Sequence, residues 1–326
     1  VTKYLVTGGA GFIGSHIVSA LLEQGADVRV LDNFSSGKRE NLNGMKGNLE
    51  IIEGDLRDAS RVTESLRGVE VVFHEAAFVS VPESLERPQD CFDINITGTS
   101  LLLNAARKTG VRRVVIASSA AVYGDSEDWP LSEKSPLHPL SPYAVSKRVG
   151  EMFTELFTHS LGLEVTALRY FNVYGPRQRP DTQYAAAVPI FIRRLLENKP
   201  VTVFGDGGQT RDLICVRDVV RANLIAAKHP AAPGQIFNIC TGVETRLLDL
   251  LDVLFELFPN ASQPVFADPR PGDIYRSIGS PQKAAQVMGF RAQVSLTDGL
   301  METVEAMRQA KISQNATRKT QAVRLS

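Results

Sequence analysis

Along the first half of the chain, short apolar and β-branched runs alternate with stretches of helical period. Lys3–Thr7, Val28–Asp32, Glu50–Glu53, Val69–His74, Arg112–Ser118 and Glu164–Tyr170 predict strands, since short apolar runs bounded by turn residues fit buried extended segments. Phe12–Gln24, Ser60–Leu66, Cys91–Thr109 and Tyr143–Leu161 carry the spacing of amphipathic helices. Strand and helix in alternation predict an α/β, doubly wound parallel sheet covered on both faces. Such a sheet binds its ligand beyond the carboxyl ends of its strands.

The rhythm changes after about Gly175, where Pro176, Pro180, Pro189, Pro200, Gly205, Gly207 and Gly208 crowd together. We read residues 1–175 as a nucleotide-binding domain and 176–312 as a smaller mixed α/β domain. The two are expected to interleave around 211–242, because Asp212–Val216 has the pattern of a returning strand. From Lys311 onward the chain is polar and aperiodic, so 313–326 is expected to be a loose tail.

Composition narrows the picture. Lys plus Arg equals Asp plus Glu, 36 each, which gives no support for a nucleic-acid or membrane-surface partner. The three cysteines, Cys91, Cys215 and Cys240, are scattered; they form no disulfide framework and point to the cytoplasm. The run Tyr4–Val6 is too short for a signal peptide, and no stretch approaches the roughly 18 apolar residues of a membrane span. The five histidines never fall at metal-ligand spacing, so no metal is expected.

Thr7-Gly8-Gly9-Ala10-Gly11-Phe12-Ile13-Gly14 follows the first strand and opens the first helix. Glycines there permit a tight turn and close approach to a pyrophosphate, and the helix N-terminus offers free N–H groups. This is the fingerprint of a Rossmann-like dinucleotide site. Asp32 ends the next strand, where a carboxylate can accept from a ribose diol and would repel a 2′-phosphate. Asn33 follows it and Lys38 and Arg39 come later, so NAD is favoured over NADP. Asp55 reads equally as a contact to adenine or as a solvated turn residue.

Ser141-Pro142-Tyr143-Ala144-Val145-Ser146-Lys147 starts a helix, and its four-residue spacing puts Tyr143 and Lys147 on one face. A phenol ordinarily ionises near pH 10. An ammonium beside it, together with a positively charged nicotinamide, would favour the phenolate and make Tyr143 a usable base.

With these pieces in hand, the chain resembles the extended short-chain dehydrogenase/reductase family, and within it the nucleotide-sugar epimerases. The resemblance covers about residues 3–310. Besides the glycine loop and Tyr143-x-x-x-Lys147, it rests on Asp55-Leu56, His74-Glu75-Ala76-Ala77, Asn95-Ile96-Thr97-Gly98-Thr99, Ser118-Ser119-Ala120-Ala121-Val122-Tyr123-Gly124, Arg169-Tyr170-Phe171-Asn172-Val173-Tyr174-Gly175-Pro176 and Arg211-Asp212. It implies NAD held by Gly8, Gly11, Phe12, Ile13, Asp32, Asn33, Asp55, Leu56, Ala76, Asn95, Tyr143 and Lys147, with Tyr170 near the nicotinamide and Ser118 supporting the cofactor. It also implies a homodimer joined through a four-helix bundle.

The same resemblance makes Ser119 the hydroxyl that relays or orients the sugar proton. Dehydratase relatives carry an acidic pair directly after this residue, and decarboxylase relatives a glutamate at the second position. Here Ala120 and Ala121 hold no titratable proton, so elimination lacks its acid and base. Hydride removal and return at C4 remains, with Tyr143 and Lys147 as its machinery. The resemblance further implies Asn172 and Arg211 at the diphosphate, Arg270 and Asp273 at the nucleotide end, and Ala186, Ala187 and Val188 at the uracil. Ser80-Val81-Pro82 is similar to the segment of epimerases acting on N-acetylated UDP-hexoses, where strict glucose/galactose enzymes align a lysine with Val79. Ser277 falls where strict enzymes place a tyrosine, and is expected to leave room for an acetamido group. UDP-N-acetylglucosamine/UDP-N-acetylgalactosamine is therefore the expected pair, with UDP-glucose/UDP-galactose as further substrates and UDP-glucuronate as the alternative. A non-catalytic NAD-sensing relative would typically lack the tyrosine or the lysine; both are present here.

Overall fold

The computed structural model describes residues 2–180, 186–269 and 274–324, with side chains described as far as residue 312. Arg270 and Asp273 therefore lie outside the described residues. The six predicted strands all form, as β1 (Lys3–Thr7), β2 (Asp27–Asp32), β3 (Leu49–Glu53), β4 (Val71–His74), β5 (Arg113–Ser119) and β6 (Glu164–Tyr170). A further strand, Ile236–Ile239, joins them in one sheet of order Ile236–Ile239, β6, β5, β4, β1, β2, β3. Every pairing in it is parallel. β4 is buried along its whole length, as a strand covered on both faces must be.

One apolar core lies between the sheet and the helices Phe12–Glu23 and Val216–Lys228; a second fills the other face, under Ala59–Ser65, Thr99–Thr109 and Pro142–Ser160. A separate core collects Val188, Phe191, Ile192, Leu195, Leu250, Leu254 and Leu300. Two buried arginines close helix ends at the sheet. Arg29 donates to the carbonyls of Ser65 and Arg67, and Arg113 to those of Ala227 and His229, satisfying carbonyls that the helices leave unpaired.

Three expectations are corrected. The predicted helix Cys91–Thr109 is broken: Pro88–Phe92 leads into a π-helical stretch, Asp93–Gly98, before Thr99–Thr109. Period alone cannot show that one residue more has been fitted into a turn. The expected returning strand at Asp212–Val216 pairs instead, as Leu213–Cys215, with Asn172–Tyr174 in a two-stranded parallel sheet. The strand that does return is Ile236–Ile239, four residues long, which pairs with β6. The expected loose tail continues the helix Leu296–Arg324; its first turns are anchored by buried Leu300, Thr303 and Val304, and no glycine or proline stops propagation after them. No helix among the described residues is long and apolar enough to cross a membrane.

Candidate active site

The strand order reverses between β1 and β4, and at that switch point the carboxyl ends of the strands open a cleft of about 900 Å³. The glycine loop floors it. Gly8 has φ +67°, and a Cβ there would lie 2.7 Å from the Ala76 backbone nitrogen; one on Gly14 would lie 2.2 Å from the Gly8 carbonyl oxygen. The loop therefore passes close against the strand beside it, and the helix packs directly on the loop. Gly11, Phe12, Ile13, Leu56 and Ala76 line the cleft beside Gly8, with the helix N-terminus facing it. A backbone cradle with no side chains in the way fits a dinucleotide pyrophosphate.

Asp32 is buried at the end of β2, accepting from the N–H groups of Ala10 (2.9 Å) and Phe34 (2.8 Å). Burial pushes its carboxyl up, against those two N–H bonds. Arg39 is committed elsewhere: its guanidinium stacks 3.9 Å over the Phe34 ring and pairs with Glu53. A basic side chain whose charge is felt at Asp32 thus pairs with the neighbouring strand. Asn33 donates to Asp55 at 2.8 Å, and Arg57 binds both Asp55 oxygens. The Arg57 hydrogen bond holds the Asp55 carboxyl well below the usual range. Asp32, Asn33 and Asp55 all line the cleft.

At the other end stand Ser118, Ser119, Tyr143 and Tyr170. Ser141 caps the helix Pro142–Ser160 by accepting from the Ala144 N–H at 3.1 Å, while the Tyr143 N–H donates to Ser84 Oγ at 3.2 Å. Lys147 Nζ donates to the Ala117 carbonyl at 2.9 Å and lies 5.6 Å from the Tyr143 ring centre. Burial pushes the lysine down to about 8. Burial likewise pushes the Tyr143 phenol up, opposed by a hydrogen bond with Ser119. The ammonium alone therefore does not make Tyr143 a base, because it too is desolvated and its proton is turned toward a carbonyl. Ser118 Oγ donates to the buried carboxylate of Glu151 at 2.7 Å, which Arg169 holds by two bonds of 2.6 and 2.9 Å.

Asn95 does not reach the cleft surface. It sits in the π-helical turn, accepting from the Phe78 N–H (2.7 Å) and donating to Ser146 (2.9 Å), and with Lys147 it lines a small cavity behind the site. Among the proposed substrate residues, Asn172, Ala187, Val188 and Arg211 line the cleft, as do Ala186 and Val79. Ser80 is instead the N-cap of Val81–Glu86, and Ser277, whose N–H donates to the Thr210 carbonyl at 3.2 Å, is not part of the lining.

Sequence reasoning passed over Glu75 and Arg177, which both line the cleft. Arg177 has φ +66° and donates to Ser15 at 3.2 Å, beside the helix N-terminus. A carboxylate directly after the buried strand β4, at its carboxyl end, was the available signal for Glu75. Nothing local marks Arg177. Among the described residues no cluster could hold a metal ion.

A model of the NAD-dependent epimerase/dehydratase family matches residues 4–240. The UDP-glucose 4-epimerase of Mycolicibacterium smegmatis is 41% identical over 311 residues, covering 94% of this chain and 98% of its own. Among solved structures, the UDP-glucose 4-epimerase of Thermotoga maritima with UDP-glucose superposes with TM-score 0.90 at 42% identity, over 95% of this chain and 99% of that one. The UDP-N-acetylglucosamine 4-epimerase of Methanobrevibacter ruminantium, in complex with UDP-N-acetylmuramic acid, gives 0.90 at 37% identity over 96% and 99%.

Proposed function

Since the chain belongs to the NAD-dependent epimerase/dehydratase family, we propose that it is an NAD-dependent 4-epimerase of UDP-hexoses. The observation that carries this reading is the placement of Ser119 and Tyr143 at one end of the cleft, with Lys147 directly behind the tyrosine, and only Ala120 and Ala121 after the serine.

Gly8, Gly11, Phe12, Ile13 and Asp32 would hold NAD, which would supply a hydride acceptor and donor for sugar C4 and, when oxidised, a positive charge. Tyr143 takes the proton of the 4-hydroxyl and gives it back; Ser119, whose hydroxyl counters the upward push of burial on the phenol, carries or orients that proton. Lys147 anchors on the β5 carbonyl of Ala117 and holds its charge behind the tyrosine. Between removal and return the keto sugar must turn over, so the chain has to hold the diphosphate firmly and the hexose loosely. Arg211 and Asn172 supply diphosphate donors from the cleft wall, where a guanidinium suits phosphate oxygens. Ala187 and Val188 open the helix Ala187–Leu196 at the same wall and are assigned to the uracil.

We assign the N-acetylated pair UDP-N-acetylglucosamine/UDP-N-acetylgalactosamine as the preferred substrates. Val79, uncharged and in the lining, supports this, as does the likeness to the M. ruminantium enzyme. Incubation with UDP-N-acetylglucosamine, UDP-glucose and UDP-glucuronate, with products resolved by chromatography, tests it. Epimerisation at C4 of the N-acetylated sugar at the highest kcat/KM is expected; turnover of UDP-glucose alone would refute the assignment.

We assign a homodimer as the working form. Val145, Met152 and Leu156 are exposed at 36%, 53% and 47% on the helix Pro142–Ser160, and their spacing puts them on one face. A second copy packing its helices Thr99–Thr109 and Pro142–Ser160, which contact each other within one chain, against the same pair would make the four-helix bundle, two helices from each copy. Light scattering should give twice the chain mass, and Met152→Glu should return it to one.

A further inference from the structure

The loop after β4 brings one carboxyl to the reactive end of the cleft that the mechanism does not use. His74, the last residue of β4, has its ring nitrogens committed to Thr7 (2.7 Å) and Thr99 (2.9 Å). The carboxyl of Glu75 meets the Tyr170 hydroxyl at 2.7 Å, and that hydroxyl takes a hydrogen bond from Asn223 at 2.8 Å. The phenol is thus held on both sides, donating to Glu75 and accepting from Asn223. Glu75 shares the cleft lining with Ser118, Ser119 and Tyr143. Its charge is felt at Lys147 and at Tyr143.

No ion pair to Glu75 is found among the described residues. Burial pushes its carboxyl up to about 7, against the Tyr170 hydrogen bond and the charge of Lys147. A poorly solvated carboxylate with one oxygen held and no direct cation is a costly arrangement unless a positive charge comes to it. The oxidised nicotinamide ring carries such a charge and the reduced ring does not.

We infer that Glu75 is a charge set against the nicotinamide end of the cleft that makes the chain bind the oxidised cofactor in preference to the reduced one. This rests on the proposed NAD site. It gives the carboxylate a task specific to epimerisation: the hydride must go back to the sugar in every turnover, and a site that disfavours the reduced ring drives that return. In Glu75→Gln the amide oxygen still accepts from Tyr170 while the charge is removed. Tyr170→Phe keeps the carboxylate and removes the hydrogen bond.

The test is titration of the full-length chain, freed of cofactor, with NAD+ and separately with NADH at pH 8.5, where the carboxylate is ionised. Glu75→Gln is expected to weaken NAD+ relative to NADH by roughly 10- to 100-fold, the scale of one unit charge acting over several ångströms in a protein site. Tyr170→Phe is expected to change both affinities alike. A ratio within about twofold of wild type in Glu75→Gln would overturn the inference, as would a shift confined to Tyr170→Phe. If the glutamine variant does not fold, Glu75→Met carries the same comparison. Failure of the wild-type chain to bind either form would overturn the cofactor site itself.

Discussion

Around Gly8–Gly14 the cleft is made of backbone: absent Cβ atoms and a helix end, with Asp32 and Asp55 fixed by hydrogen bonds within the chain. Around Asn172, Ala187, Val188 and Arg211 it is made of side chains on short elements, among them the two-residue strand Thr210–Arg211 and a helix opening at Ala187. The contrast matches the two tasks. A cofactor that stays in one pose suits a rigid backbone mould, whereas a hexose that must turn needs an anchor at its diphosphate and slack elsewhere. Tyr143 and Ser119 stand where the two regions meet, each positioned by the sheet and the helix behind it.

The largest effect should come at that meeting point. Tyr143→Phe removes the proton acceptor and is expected to lower kcat by about 10²–10⁴-fold while NAD and the UDP-sugar still bind. Retention of more than about a tenth of the rate would remove Tyr143 from the mechanism. On the mould side, Gly14→Ala forces a methyl into the Gly8 carbonyl. A loss of about 1–3 kcal/mol in stability is expected, together with loss of copurifying NAD, read by melting and by cofactor extraction. That extraction from the wild-type protein should release NAD; mainly NADP would mean that Arg39 leaves Glu53 for a 2′-phosphate.

On the anchor side, Arg211→Ala should raise KM for the UDP-sugar by about ten- to a hundredfold and leave cofactor content intact, because it removes the charge-assisted bonds proposed to the diphosphate. Loss of NAD in this variant would erase the distinction between the two regions. Ser119→Ala should cost less than Tyr143→Phe, about tenfold in kcat, since water can replace part of a relay. The smallest change is expected from Ser277→Tyr. Its position outside the lining predicts similar steady-state rates on N-acetylated and plain UDP-hexoses, and a selective loss on the N-acetylated pair would return Ser277 to the hexose pocket.

Much of the mould was legible in the chain itself. Glycines at 8, 11 and 14, running from an apolar strand into a helix, have few uses, and Asp32 closing the next strand marks the place proposed for a ribose. Tyr143 and Lys147 share a helix face by spacing alone, and the six strands follow from apolar runs that a two-sided burial requires. These are local features, set by backbone geometry within a few residues.

What lay between distant segments was decided only by the fold. Whether the Tyr143 phenol and Lys147 ammonium act on each other depends on burial and on the Ala117 carbonyl, 30 residues away in sequence. Ser80 and Ser84 look alike in the chain, yet one caps a helix and the other receives the Tyr143 N–H. Ser118 meets Glu151, which Arg169 also holds, and Glu75 meets Tyr170 from 95 positions off. Hydrogen bonds and desolvation depend on distances in space, and the periodicity of a sequence carries no information about which of its polar groups will be brought together away from water.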